Sequence, residues 1–445
     1  SEVTYAELRE RVERTAEGLR STLSRGLVLH VADDSVDSIV VYLACLEAEC
    51  PAVVLEPEFV DRLEALIVGY APAAILANRS LAVPDAWGPG VPFGVEKYRL
   101  YRHQTEGRPL SQELALLLTT SGSTGSPKLV RLSHANLLSN ARSIIQYLEI
   151  TPAERSMQTL PTHYSYGLSL LNSHLLAGAT TVLCPHSFLR PEFWGAFAEA
   201  GCTSFAGVPY IYETLARLRF DPSRYPSLRT MTQAGGALSV DLTRDFYERT
   251  AACGCRLFVM YGQTEATARM AYVPSSRLAQ KIGSIGIAIP DGTLSLESCE
   301  GTDRSELIYT GPNVMLGYAE TADDLALGDV QGGVLRTGDL ASVDSDGFYR
   351  IEGRIKRFAK LFGRRLSLDE VERDLEDHFA IRVAAVEREG RLAIFASPVH
   401  DALPDGIDRY LAKRLRVPPK VLRVEHLEAL PRTPNGKKNY KELPA

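Results

Sequence analysis

Leu116-Leu-Leu-Thr-Thr-Ser-Gly-Ser-Thr-Gly-Ser-Pro-Lys-Leu-Val130 reads as a buried apolar strand, a loop of hydroxyls and glycines, and a lysine. Thr119, Thr120, Ser121, Ser123 and Thr124 offer hydroxyl donors. Gly122 and Gly125 let backbone N–H groups approach a ligand closely. Such a loop surrounds the oxygens of a polyphosphate with donors, and Lys128 adds a mobile positive charge. The familiar nucleotide loop sets its lysine straight after a glycine and opens a helix there. Here Pro127 precedes the lysine and argues against a helix start, so this is a phosphate loop of another kind. An ordinary Gly/Ser turn between strands is the plain alternative.

On either side of this loop, helices alternate with short apolar strands. Upstream, Thr4-Tyr-Ala-Glu7 has the capping-box form, and Leu8, Val12, Ala16 and Leu19 follow at helical spacing. Strands at Gly26–Val31, Ala52–Leu55 and Ala73–Ala77 are separated by helices at Ser35–Ala48 and Arg62–Gly69. Residues 79–112 are rich in Pro, Gly and polar side chains and predict a surface connection. Downstream, a helix runs from Ser133 to about Tyr147. The polar, aromatic turn Thr159–Gly167 leads into a helix at Leu168–Leu176. Thr180–Cys184 is a strand and Glu192–Ala200 a helix. Strands at Ser204–Pro209, Leu228–Gly236 and Leu257–Tyr261 end in small or polar residues, where open α/β sheets place ligands. This rhythm predicts a parallel sheet with right-handed crossovers.

From Gly286 the texture changes. Short alternating strands at Thr293–Glu297, Glu306–Tyr309 and Phe348–Glu352, separated by turn residues, predict a small β subdomain. Gly353-Arg-Ile-Lys356 reads as a boundary. Ser367-Leu-Asp-Glu370 has the form of a second capping box, with Leu368, Val371, Leu375 and Phe379 on one helix face. Strands follow at Val383–Val386 and Leu392–Phe395. Pro431–Lys438 is a tight turn with two lysines.

Composition bounds the function. With 445 residues, 45% hydrophobic and 23% charged, the chain can bury a large core. A net charge of −6 argues against bulk attraction to nucleic acid or an anionic membrane. The seven cysteines are odd in number and scattered, which favours reduced thiols over a disulfide framework. Cys253-Gly-Cys255 has no metal-site partners nearby. No apolar run reaches the ~18 residues of a membrane span, and no signal-peptide pattern opens the chain. A cytoplasmic location is the expectation.

Six motifs occur in an order that resembles the adenylate-forming (acyl-activating) superfamily, which includes acyl-CoA synthetases, aryl-acid ligases, firefly luciferase and nonribosomal peptide synthetase adenylation domains. They are Thr120–Lys128, Tyr261-Gly-Gln-Thr-Glu265, Glu306–Pro312 with Gly317-Tyr318, Arg336-Thr-Gly-Asp339, Gly353-Arg-Ile-Lys356 and Pro434-Asn-Gly-Lys437. The resemblance implies an α/β fold. A large N-terminal domain (1–353) would hold parallel βα-layered sheets and a small β subdomain. A hinge (354–356, with Lys356 as pivot) would join it to a small, mobile α+β C-terminal domain (357–445).

The resemblance also implies roles. Thr120, Ser121, Gly122, Ser123, Thr124, Gly125 and Lys128 would hold the ATP β- and γ-phosphates. Thr264 would touch the α-phosphate and Glu265 would bind Mg²⁺. Tyr261 and Gly262 on one side, and Gly235, Gly236 and Ala237 on the other, would flank the adenine. Asp339 would accept from the ribose hydroxyls, Arg354 would make a second ribose contact, and Lys437 would bridge carboxylate and phosphate. Read singly, Asp339 could be a turn aspartate, Glu265 a helix cap, and Lys437 and Lys438 a solvated tail.

The implied acid pocket comprises His163, Tyr164, Tyr166, Gly207, Tyr210, Thr232, Gln233, Met260 and Arg269. Amino-acid-activating relatives carry an aspartate where this chain has Tyr164, which favours an acid without an α-amino group. Arg269 either binds a polar or anionic substrate group or serves structure or solvent. Leu129 replaces the family's usual glycine and is expected to pack inward, Lys356 replaces a common aspartate, and few residues precede Thr4.

The implied reaction is activation of a small carboxylic acid with ATP and Mg²⁺. Transfer to the thiol of CoA or of a separate carrier protein's phosphopantetheine follows. A face near Gly363, with Arg364 and Arg365, would meet that arm. The alternatives are an amide-forming ligase, an amino-acid adenylation enzyme and a silent binding module. The four residues Lys128, Glu265, Asp339 and Lys437 argue against the last.

Overall fold

The structure is a computed structural model that describes the chain apart from residues 1, 24, 58–62, 82, 84–86, 103–107, 120–127, 300–303, 356, 362–363, 389–390, 400–402, 416, 434–436 and 445. The loop residues Thr120–Gly125, the pivot Lys356 and Gly363 lie outside the described residues.

Val28–Val31 and Ala52–Leu55 are buried along their whole length, as strands covered on both faces must be. They pair in parallel, Ala74–Asn78 joins on one side, and Leu114–Thr119 joins on the other. The remaining strands of this seven-stranded sheet are antiparallel, so the expected parallel sheet is a mixed one. Tyr98–Arg102 pairs antiparallel with Ala74–Asn78, inside the stretch expected to be a surface connection. Tyr98 and Leu100 turn inward while Arg99 and Tyr101 are only partly covered, a two-residue alternation that was present in the sequence. Leu129–Ser133 returns antiparallel to Leu114–Thr119, so a strand and not a helix follows Lys128. Leu129 is fully buried, as expected.

Gly317–Ala319 completes that edge against Leu129–Ser133. Arg131 is buried there, and carbonyl oxygens of the later segment satisfy its guanidinium. Nε donates to Tyr318 O (3.1 Å), Nη2 to Leu316 O (3.1 Å), and Nη1 to Leu327 O and Gly328 O.

A second seven-stranded sheet runs parallel through Arg155–Met157, Thr180–Val182, Ser204–Gly207, Thr230–Gln233 and Arg256–Tyr261. It closes with antiparallel Ala271–Val273 and Ile287–Ala288. Helices His134–Leu148 and Ser165–Leu176 pack on each other, and one apolar cluster joins residues of both sheets. The second of these helices starts at Ser165, three residues before the expected Leu168. A Cβ at Gly167 would lie 2.1 Å from Pro161 O, so only glycine lets the Thr159–Gly167 turn fold so tightly onto the helix.

The β subdomain is a four-stranded antiparallel sheet of Thr293–Ser298, Ser305–Thr310, Val334–Val343 and Tyr349–Arg354. Phe358–Leu361 pairs antiparallel with Arg364–Ser367. Ile381–Arg388, Arg391–Pro398 and Leu422–His426 form a three-stranded sheet. It shares its own apolar cluster with helices Leu368–Phe379 and Ile407–Leu415. Only half of the second capping box forms. Ser367 accepts from the Glu370 N–H (3.3 Å), but the Glu370 carboxylate pairs with Arg304 at 2.5 Å. A charged partner outweighs a neutral N–H. All seven cysteines are free. No helix among the described residues is long and apolar enough to cross a membrane.

Candidate active site

The strand Arg256–Tyr261 delivers Tyr261 and then a 3-10 turn, Thr264–Ala266. Thr267 (φ +56°) and Ala268 (φ +93°) double the chain back. A Cβ at Gly262 would sit 1.8 Å from Ala268 O, so this glycine is dictated by the backbone passing beside it, whatever binds nearby. Asn313 clamps the turn, donating to Ala266 O (2.7 Å) and Arg269 O (2.9 Å) while its own carbonyl accepts from Thr267 Oγ1 (2.7 Å). The result is a fixed Glu265. Its backbone carbonyl accepts from Met315 N–H (2.9 Å), and its carboxylate accepts from Tyr318 OH (2.8 Å). Glu265 therefore lies in a turn rather than capping an α-helix. Lys128 Nζ sits 3.7 Å from the centre of the Tyr318 ring and pairs with Glu320 at 3.0 Å. The end of the phosphate loop and Glu265 thus share one tyrosine. Thr264 Oγ1 lies 3.1 Å from Ser165 Oγ at the start of the helix Ser165–Leu176.

Asp339 lies in the strand Val334–Val343, which excludes the turn reading, and only 3% of its side chain is exposed. It accepts from Tyr261 OH, from Gln263 Nε2 (2.9 Å) and from Arg354 Nε (2.8 Å). Gln263 also donates to Thr337 O (3.0 Å), locking this strand to the Tyr261 turn. Burial, and then the charge of Asp339, push the Tyr261 phenol pKa well above its ordinary value.

The C-terminal turn closes through Thr433 N–H to Lys437 O (2.8 Å) and an Arg432–Lys438 bridge. Lys438 is no solvated tail, since its ammonium reaches Glu372 (2.9 Å) and Glu376 (2.8 Å). Lys437 is exposed, yet the surrounding protein depresses its ammonium pKa below that of a free lysine. Desolvation contributes most and Arg354 adds repulsion, while Glu265 and Asp339 pull the other way. Those four side chains therefore share one electrostatic neighbourhood. Arg382 (2.5 Å) and Arg432 (3.1 Å) both grip Glu213 in the helix Pro209–Arg217. The Arg354 N–H donates to Asp369 (2.9 Å).

The expected pocket residues fall into groups. Tyr164 and Tyr166 meet edge to face at 6.3 Å, and Tyr166 OH lies 3.0 Å from Thr232 Oγ1. A Cβ on Gly235 (φ +85°) would touch Tyr164 OH at 2.6 Å, which brings the Gly235–Ala237 loop against this tyrosine; Gly236 and Ala237 are exposed. Arg269 is fully buried over the Tyr166 ring (4.0 Å), beside Met260 Sδ (2.8 Å). That excludes its solvent-facing reading. Two expected lining residues also make structural contacts. Buried Gln233 donates to Gly236 O (2.8 Å) and braces that loop. Gly207 makes room for the Tyr212 ring, which a Cβ would meet at 2.9 Å. The Tyr210 ring meets Phe188 (6.4 Å) and Arg432 (5.5 Å).

Several residues went unread in the sequence. Glu56 lies 3.6 Å from His163 and brings a carboxylate to the edge of a pocket expected to have none. Its position just after the strand Ala52–Leu55 was the available signal. Gln263 sat inside a quoted motif without a role. Ser165, Asn313 and Tyr147, whose OH lies 3.0 Å from Met260 Sδ, gave no local signal.

A single carboxylate, Glu265, fits Mg²⁺, which is held by one or two carboxylates plus substrate phosphates rather than by an all-protein cage. Among the described residues no group of three or more metal-ligating side chains occurs.

Residues 1–319 match the AMP-binding enzyme family. The chain is 30% identical over 420 residues to a feruloyl-CoA synthase of Amycolatopsis sp, covering 86% of this chain and 80% of that one. It is 30% identical over 481 residues to the phosphinothricin tripeptide synthetase PhsC of Streptomyces viridochromogenes, covering 100% of this chain and 43% of that one. Among solved structures, o-succinylbenzoate coenzyme A synthetase from Bacillus subtilis, in complex with ATP and magnesium ion, matches with a TM-score of 0.76. The two are 24% identical, over 98% of this chain and 93% of that one.

Proposed function

The chain belongs to the AMP-binding enzyme family, and on that premise we propose that it activates a small carboxylic acid as its acyl adenylate and passes the acyl group to a thiol. The acid's carboxylate attacks the α-phosphorus of ATP and pyrophosphate leaves. The acyl group then moves to CoA or to a carrier protein's phosphopantetheine, and AMP leaves. Glu265 and the ATP phosphates hold Mg²⁺, which offsets phosphate charge when bound. Thr264, set against Ser165, faces the α-phosphate, and Lys128 faces the outer phosphates with residues 120–125. Asp339 receives the ribose. A carboxylate accepts about four hydrogen bonds, and three are taken. The exposed Arg354 gives way, so that both ribose hydroxyls can be accepted.

The observation that carries this reading is Lys437. A turn near the C-terminus puts its ammonium in one electrostatic neighbourhood with Glu265, Asp339 and Arg354, where it would bridge the attacking carboxylate and the α-phosphate. Residues 354–356 form the hinge, with Lys356 as pivot, about which the C-terminal part then turns to bring the Gly363 face to the acyl group. The test is acid-dependent ATP–pyrophosphate exchange over a panel of carboxylic acids. Lys437→Ala is expected to lose about 10²–10³-fold with ATP binding retained. Exchange near the wild-type rate in that variant would exclude the role.

A further inference from the structure

Building on the acid-activating reading above, we propose that the substrate acid carries a second carboxylate, and that Arg269 binds it.

Among the described residues two arginines are fully buried, Arg131 and Arg269. They differ in what surrounds them. Arg131 is matched by backbone carbonyls on three nitrogens. Arg269 has no such set. Its Nη1 faces the Met260 sulfur (2.8 Å), its Nη2 faces Ser169 Oγ (3.1 Å), and its Nε has no hydrogen-bond partner. Among the described residues no carboxylate lies within ion-pair distance of it. A thioether is a weak acceptor. The Tyr166 face beneath it attracts the cation but accepts nothing in the guanidinium plane. A planar fork with unfilled in-plane donors is the shape that a carboxylate fills bidentately.

Its position agrees. Ser165 and Ser169 are four residues apart and share one face of the helix Ser165–Leu176. Ser165 holds Thr264, which is assigned to the α-phosphate. Ser169 holds the Arg269 guanidinium one helical turn along. A rise of about 6 Å separates the two levels. A short aliphatic chain or a benzene ring has the length to separate one carboxylate being activated from another bound by Arg269. Tyr147 and Tyr164, close to this charge, do not neutralise it, because burial pushes both phenols up to about 12 and they stay protonated.

The experiment measures kcat/KM for ATP–pyrophosphate exchange with succinate, glutarate and terephthalate against butyrate, pentanoate and benzoate. Wild-type enzyme is expected to favour at least one diacid over its monoacid counterpart by about 100-fold or more. Arg269→Ala and the bulkier Arg269→Met are expected to collapse that ratio through a raised KM for the diacid, with Arg269→Lys intermediate. Monoacids equal to or better than every diacid in wild type, or a ratio unchanged by the substitutions, would overturn the second-carboxylate proposal and leave adenylation standing. Exchange with none of the six acids overturns the proposal, and ATP turnover with no other acid would remove the activating role as well. The wild-type ratio decides even if a variant does not fold.

Discussion

In the proposed reaction Lys437 acts through its charge, and the protein makes that charge easier to lose. Desolvation and Arg354 lower its pKa below the ordinary lysine value of 10.5. The protonated form is the one that bridges two anions. Adenylation therefore falls as pH rises through this lowered pKa, sooner than a free lysine would dictate. The alkaline limb of kcat/KM for pyrophosphate exchange, which reports the free enzyme, is expected below the free-lysine range. In Lys437→Arg, whose group stays charged above pH ~12, that limb should disappear from whatever activity remains. A limb unmoved in the arginine variant would assign it to another group. At this scale the sequence was uneven. Lys437, Glu265 and Asp339 were legible because each sits in a short fixed motif. Glu56 and Gln263 were not, since their partners His163 and Asp339 are far along the chain and nothing local marks the pairing. Arg269 was legible as a position but not as a buried cation without a counter-charge, because burial depends on what folds over it.

Among the elements, the 3-10 turn Thr264–Ala266 is held from outside, by Asn313. Asn313→Ala leaves the carbonyls of Ala266 and Arg269 without these donors in a buried place. The loss at Ala266 costs about 1–3 kcal/mol, while Arg269 O keeps its bond from Asn140 Nδ2 (3.0 Å). The expected outcome is a lower melting temperature together with a fall in kcat for exchange, because Glu265 loses its fixed aim. An unchanged melting temperature with unchanged kcat would mean that the turn holds itself. Element boundaries read well where a cap announced them. Thr4 with Glu7, Ser35 and Ser133 all cap the helices they precede. They read poorly where pairing alone makes the element. Tyr98–Arg102 and Val334–Val343 are strands because partners lie beside them, and the second carries Asp339. The second capping box failed for the same reason in reverse, when Arg304 offered Glu370 a better partner than its own helix.

For the whole molecule, Glu213 is one contact that joins the C-terminal part to the second sheet's helix layer, and it serves two arginines at once. Glu213→Gln removes the charge and leaves Arg382 and Arg432 to repel each other. If the C-terminal part must sit this way to present Lys437 and must leave for the thiol step, the two half-reactions respond differently. Exchange is expected to fall several-fold, while thioester formation from supplied acyl adenylate holds or quickens. Equal loss in both assays would assign Glu213 to folding alone. No local pattern marks this contact, because charge pairs between distant elements are fixed only by the assembled shape. The same holds for Arg131, and there the consequence reaches back to synthesis. Its carbonyl partner Leu316 O comes 185 residues later in the chain. At roughly 5–20 residues per second, a ribosome needs about ten to forty seconds to make that stretch. During this interval the nascent first sheet has an open edge at Leu129–Ser133 and an unmatched guanidinium. This edge of the first sheet therefore stays unpaired until Leu316–Gly328 has been made.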